Sequence, residues 1–266
     1  MKETCTDLLA EYRELAELAQ ALTPEQWQAS TAFHGWTPWD EIAHLCYFDE
    51  TALQSATNAD AFARDALALG ASLARGEAIS AVARARYAKL DGPALVIRWR
   101  DTFEDLIAVL SRLDAKARLP WYGPPMSARS FASARLMETW AHGQDIWDLL
   151  RRKRPATARL KHIAHIGVTT FAWTFANRKL PVPAVQPYVE LAAPGDGVWA
   201  WGDPASADFV RGPAEDFCLL VTQRRHLDDT GLEYSAGAIQ QWLSMAQCFA
   251  GPPADGPPPG VRVVRD

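Results

Sequence analysis

No stretch of this chain approaches the run of roughly 20 apolar residues that a helix needs to cross a bilayer. The opening Met1-Lys2-Glu3-Thr4-Cys5-Thr6-Asp7 lacks the charged and apolar regions of a signal peptide. Both absences point to a cytoplasmic protein. The cysteines, Cys5, Cys46, Cys218 and Cys248, are widely spaced and form no CxxC pair. That spacing argues against a disulfide framework and a cysteine-ligated zinc site, so they read as reduced, mostly buried thiols. Nucleophile elbow, phosphate loop and dinucleotide fingerprint are all missing, which removes the usual sequence support for hydride and phosphoryl chemistry. A net charge of −5 gives no general attraction to nucleic acid or an anionic membrane. The local exception, Arg151-Arg152-Lys153-Arg154, follows an expected helix end, where basic side chains complement the helix dipole.

What the chain does have is apolar material. Hydrophobic residues make up 48% of its 266 positions, enough for two domains. The first half reads as helical. Leu8, Leu9, Tyr12, Leu15, Leu18, Ala19 and Leu22 recur at helical spacing until Thr23-Pro24-Glu25 interrupts them. A second helix starts at Thr37-Pro38-Trp39-Asp40, with Thr37 as N-cap, Pro38 in the first turn and Asp40 closing a capping box. The alanine-rich segment 59–85 suggests short helices or a long excursion. A strong helix is expected from about Gly92 to Leu113, a loop over Leu119–Pro125, and a helix from about Ser127 to Leu150.

The character then changes. Ala158–Arg178 remains helical, but Pro187–Leu191 and Val198–Trp201 have strand composition and flank the turn sequence Ala193-Pro194-Gly195-Asp196-Gly197, a hairpin signal. Helices are expected over Pro213–Arg225 and Gly237–Phe249, followed by an irregular proline-rich tail. No internal repeat is visible.

Glu138 and His142, four apart on one helix, present both side chains to one point, and His44 lies well inside the second helix. Two imidazoles and a carboxylate suit zinc, and nickel or iron(II) fit the same donors; three protein ligands leave a position open for water or substrate. The rival pair His162 and His165 has no carboxylate at ligand spacing. Asp40 can either cap its helix or orient the His44 ring. Gln144 and Asp145 follow His142, but at about 100° of rotation per residue at most one faces the site. Trp140 can wall the pocket.

The segments Gly35-Trp36-Thr37…Asp40…Ala43-His44-Leu45 and Glu138-x-x-x-His142-Gly143-x-Asp145 resemble the ligand segments of the DinB-like metalloprotein superfamily. They are most similar to the branch containing mycothiol-dependent maleylpyruvate isomerase. Gly212-Pro213-Ala214…Leu219-Leu220-Val221-Thr222-Gln223-Arg224 resembles that branch's smaller C-terminal domain. The resemblance implies an α+β protein: an N-terminal DinB-like four-helix bundle, residues 1–155, and a smaller mixed α/β sterol-carrier-like C-terminal domain, residues 156–266. It implies His44, Glu138 and His142 as ligands of a divalent ion, foremost zinc, and Arg224 as a catalytic and cofactor-binding residue. A low-molecular-weight thiol would be activated for transfer to, or isomerisation of, a small electrophilic substrate. Two other readings stand beside it: a metal-dependent hydrolase with Asp40 or Asp145 as base, and a non-catalytic metal-containing ligand-binding protein.

Overall fold

The computed structural model describes residues 1–262; the end of the second expected domain, residues 263–266, lies outside them. The chain divides into two compact units, Met1–Leu149 and Leu150–Asp266.

The first unit holds helices α1 (Lys2–Gln20), α2 (Pro24–Gln28), α3 (Pro38–Thr57), α4 (Ala59–Ala74), α5 (Ile79–Tyr87), α6 (Gly92–Leu110) and α7 (Ala128–Leu149). The alanine-rich excursion is thus two helices. A short antiparallel pair, β1 (Arg118–Leu119) and β2 (Met126–Ser127), flanks the proline-rich loop, where only a loop is expected from the sequence. Thr37 and Asp40 close the predicted capping box: the Thr37 amide donates to Asp40 Oδ2 at 2.9 Å, and the Asp40 amide donates to Thr37 Oγ1 at 3.4 Å. Asp91 caps α6 by accepting from the Ala94 amide at 2.9 Å. The next residue has to be glycine, because a Cβ on Gly92 would stand 2.4 Å from the Trp27 ring.

Helix α1 packs against α6 and α7, and α3 packs against α6 and α7 while α4 and α5 cover its outer side. The apolar faces predicted from the sequence fill the space between them, with Leu8, Leu15, Leu95 and Leu106 wholly buried. One carboxylate sits at the centre of this core. Asp49 of α3 accepts from Tyr12 Oη of α1 at 2.6 Å, Trp99 Nε1 of α6 at 2.8 Å and Arg135 Nε of α7 at 2.8 Å. Burial pushes the Tyr12 hydroxyl well above its ordinary value, and the charge of Asp49 pushes it further. Burial alone would lower the Arg135 guanidinium, but the neighbouring Asp49 charge holds it above its ordinary value.

The second unit contains α8 (Leu160–Thr169), α9 (Phe171–Asn177), β3 (Tyr188–Ala192), β4 (Val198–Trp201), β5 (Phe209–Pro213), α10 (Ala214–Val221), β6 (Glu233–Tyr234) and α11 (Ala238–Ser244). The four strands form one sheet in the order β4-β3-β5-β6. The predicted hairpin is β3–β4, antiparallel with Val189 opposite Trp201. The sequence does not announce β5, which lies parallel to β3 with Tyr188 opposite Phe209, or β6, which closes antiparallel on β5. Helix α10 packs on α8 and touches β3 and β5.

Two expected helices are shorter in the structure. The segment Pro213–Arg225 spends Pro213 at the end of a strand and stops at Val221, because Gln223 turns left-handed at φ 59° and the Arg224 amide folds back to Leu219 O at 2.7 Å. The segment Gly237–Phe249 is helical only over α11, whose terminal residue Ser244 is followed by irregular backbone.

Candidate metal centre

Helices α3 and α7 bring His44, Glu138 and His142 together. Glu138 Oε2 lies 3.8 Å from His44 Nε2 and 3.5 Å from His142 Nε2, and one donor atom from each residue falls within 4.8 Å of the other two. The imidazole centroids are 4.4 Å apart. Ligand bonds of about 2.0–2.1 Å at tetrahedral angles put donors about 3.4 Å from one another. The observed separations need little closing, and the three donors fit one divalent ion.

Glu138 is the accessible member of the set, its side chain 25% exposed against 5% for His142. Burial alone would raise its carboxyl, yet hydrogen bonds and charge from His142 and His44 hold it well below the usual carboxylate range. The site therefore carries an ionised acid facing two imidazoles.

His142 is held from behind. Its Nδ1 stands 2.7 Å from Oε2 of Glu41, a wholly buried side chain in the first turn of α3. Thr31 Oγ1 donates to the other oxygen, Glu41 Oε1, at 3.0 Å. The Thr31 amide donates to Trp36 O at 2.6 Å and closes a tight loop. Rings from that loop pack on this imidazole: Trp36 stacks on His142 with centroids 5.8 Å apart, and Phe33 meets it edge-on at 5.3 Å. Phe48, one turn after His44 on α3, lies 4.7 Å from the His44 ring and 5.5 Å from Tyr122 of the proline-rich loop.

Glu41 is the residue that sequence reasoning missed. Of the two roles open to Asp40, capping its helix or orienting the His44 ring, the structure shows the cap, together with an ion pair to Arg84, 2.5 Å away. The available signal was that Glu41 and His44 are three apart and share a face. Asp145 is fully buried and groups with Glu41 and His142, whereas Gln144 Nε2 turns along its own helix to donate to Asp148 at 2.8 Å. Trp140 is buried in the core. His162 and His165 lie on α8, and the metal-suited groups found among the described residues do not include them. Arg224 belongs to the second unit, is 3% exposed, and donates from Nη1 to Thr222 O at 2.7 Å.

Fold and site together define a class: a helical domain presenting a His, Glu, His set from two of its helices, continued by a small α+β unit. Residues 8–147 match the family described as mycothiol maleylpyruvate isomerase N-terminal domain. The chain belongs to that family. It is similar to uncharacterized proteins of two Mycobacterium tuberculosis strains, H37Rv and CDC 1551. Each is 41% identical over 250 residues, covering 94% of this chain and 96% of the relative. Among solved structures it resembles a mycothiol-dependent maleylpyruvate isomerase at TM-score 0.56 and 14% identity, covering 88% of this chain and 92% of that one. A histidine-to-alanine mutant of such an isomerase matches at TM-score 0.53 and 13% identity, with 82% and 87% covered. At these identities the structural matches establish the fold, a helical N-terminal part followed by an α+β part.

Proposed function

We propose that this protein is a metal-dependent enzyme that uses a low-molecular-weight thiol to transfer it to, or isomerise, a small electrophilic substrate. The observation that carries the reading is the convergence of His44 Nε2, His142 Nε2 and Glu138 Oε2 on one point. It stands in a chain whose family takes its name from a mycothiol enzyme. A divalent ion bound there, foremost zinc, would supply the acidity that turns a thiol into its thiolate near neutral pH.

The chain's own residues set the conditions for that chemistry. Three protein donors leave room for an exogenous ligand. Glu138 brings negative charge to the accessible side, while Trp36, Phe33 and Phe48 surround the imidazoles with rings and keep water from their faces. The protein's cysteines are poor candidates for the thiol: all four are buried, and burial pushes the Cys46 thiol up to about 12. Arg224 is assigned the anionic group of thiol or substrate, a role suited to a guanidinium already oriented by a backbone carbonyl. A cytoplasmic location accords with this chemistry, since low-molecular-weight thiols are kept reduced there, and no helix among the described residues is long and apolar enough to cross a membrane.

The test begins with metal content. Purified full-length protein is expected to hold about one divalent ion per chain by plasma mass spectrometry, and His142→Ala to lose it. Unchanged stoichiometry in the variant would reject the site. Metal-dependent consumption of mycothiol, glutathione or bacillithiol in the presence of an electrophile is expected. Ester or amide cleavage without any thiol would replace this reading with hydrolysis.

A further inference from the structure

We propose that Glu41 is the positioning residue of this centre: it fixes the tautomer and ring orientation of His142, so that Nε2 is the nitrogen offered to a divalent ion held with Glu138 and His44. The inference rests on reading the three residues as a metal site, and it adds a fourth residue that the ligand pattern does not contain.

An ionised carboxylate can only accept a hydrogen bond. Glu41 Oε2 stands 2.7 Å from Nδ1 of His142, so an ionised Glu41 selects the form of the ring that carries hydrogen on Nδ1. A neutral imidazole with its one N–H on Nδ1 would offer the Nε2 lone pair to a divalent ion on the side where Glu138 Oε2 and His44 Nε2 lie; without an ion, Nε2 can carry a proton and donate to Glu138. Both partners are buried, with side chains 0% and 5% exposed, so water does not compete for the contact.

Glu41 is itself held in place. Thr31 Oγ1 donates to its second oxygen at 3.0 Å, and its place in the first turn of α3 puts the carboxylate beside the positive end of the helix dipole. The same Thr31 anchors the loop whose Phe33 and Trp36 rings lie against His142. One buried carboxylate thus couples a loop, α3 and α7 at His142.

Zinc affinity of the full-length protein, measured by chelator competition on wild type, Glu41→Gln and Glu41→Met, separates positioning from packing. Gln fits the site. Its carbonyl can accept from Nδ1–H, and its amide can donate to Thr31 Oγ1 once that hydroxyl turns toward Phe33 O, 3.5 Å away. Met fills similar volume and accepts nothing of comparable strength. Loss of such an outer partner is expected to weaken binding by about 10–100-fold in the Met variant, with Gln staying within about threefold of wild type. Met binding as tightly as wild type, or Gln losing as much as Met, overturns the proposal. Should the Met variant fail to fold by circular dichroism, Thr31→Val provides the test, with an expected loss of about 2–10-fold for one missing hydrogen bond; unchanged affinity there overturns it. If wild type itself binds neither zinc nor cobalt, the metal reading fails as a whole, an outcome distinct from tight zinc binding that is indifferent to Glu41.

Discussion

Replacing Asp49 by alanine should unfold the first unit more readily than any change on its surface. The side chain is wholly buried and accepts from one donor on each of the three other long helices, Tyr12, Trp99 and Arg135. Alanine removes the acceptor and leaves the Arg135 guanidinium, itself 4% exposed, without its counter-charge. Breaking a buried pair from one side costs about 3–5 kcal/mol, because the remaining charge stays desolvated. The orphaned phenol and indole would each cost about 1–3 kcal/mol if counted alone. The three losses share one cavity and do not add, so about 4–5 kcal/mol is expected. For a unit of this size each kcal/mol shifts the midpoint by about 2–4 °C, which predicts a fall of about 8–20 °C. Thermal unfolding followed by circular dichroism and calorimetry measures it. The triple variant Asp49→Leu, Arg135→Met, Tyr12→Phe removes the stranded charge and hydroxyl together and should recover most of the loss. A single Asp49→Ala variant that loses less than about 1 kcal/mol would refute the claim that the carboxylate holds the four helices, because an exposed ion pair would behave that way.

Two further outcomes follow from buried titratable groups. Native protein should show almost no rapid reaction with a thiol reagent at pH 8: all four cysteines are buried and burial raises the Cys46 thiol to about 12, so full stoichiometric labelling before unfolding would contradict the packing. Glu215 of α10 has its carboxyl raised above the ordinary 4.5 by burial, with Asp216 adding to the effect and Lys153, Arg225 and Arg154 opposing it. A raised acid binds its proton more tightly in the folded state, so its contribution to stability falls as pH rises from 4.5 through the folded value. Glu215→Gln should therefore gain melting temperature relative to wild type between pH 4.5 and 7, and a difference independent of pH would show that the shift is absent.

Local signals made most of the first unit legible. The capping residues Thr37, Pro38 and Asp40 mark the start of α3 because the cap is built from neighbours in sequence. Glu138 and His142 could be paired because four residues on a helix make one face. The strand β5 was hidden for the opposite reason. Its short run Phe209-Val210-Arg211-Gly212-Pro213 pairs with β3 although β4 lies between them in sequence, and its closing proline reads locally as a helix start. Glu41 was hidden by its neighbour: both carboxylates follow the N-cap, and one residue of rotation decides that Asp40 faces the cap while Glu41 faces His142. No periodicity in the sequence marks which of two adjacent acids points at a partner 101 positions away.

The two wholly buried carboxylates of α3, Glu41 and Asp49, define how the metal-suited set is held. Going up α3, Glu41, His44 and Asp49 meet, going down α7, His142, Glu138 and Arg135. Steps of three and five residues on one helix are answered by steps of four and three on the other, as antiparallel helices in fixed register require. The Glu138 to His44 contact therefore lies between two polar cross-links, one to Nδ1 of His142 and one to a guanidinium in the core. A slide of α7 by one residue would advance it about 1.5 Å and turn its faces by about 100°, separating both cross-links at once. Apolar packing alone tolerates such slippage better than hydrogen bonds of 2.7 and 2.8 Å do. The cross-links consequently specify the geometry that lets three side chains from two helices address one point. Asp49 and Glu41 should be separable by measurement: Asp49→Ala lowers stability with metal affinity falling only as the fold loosens, whereas Glu41→Met lowers affinity at temperatures where the helical unit is still fully folded.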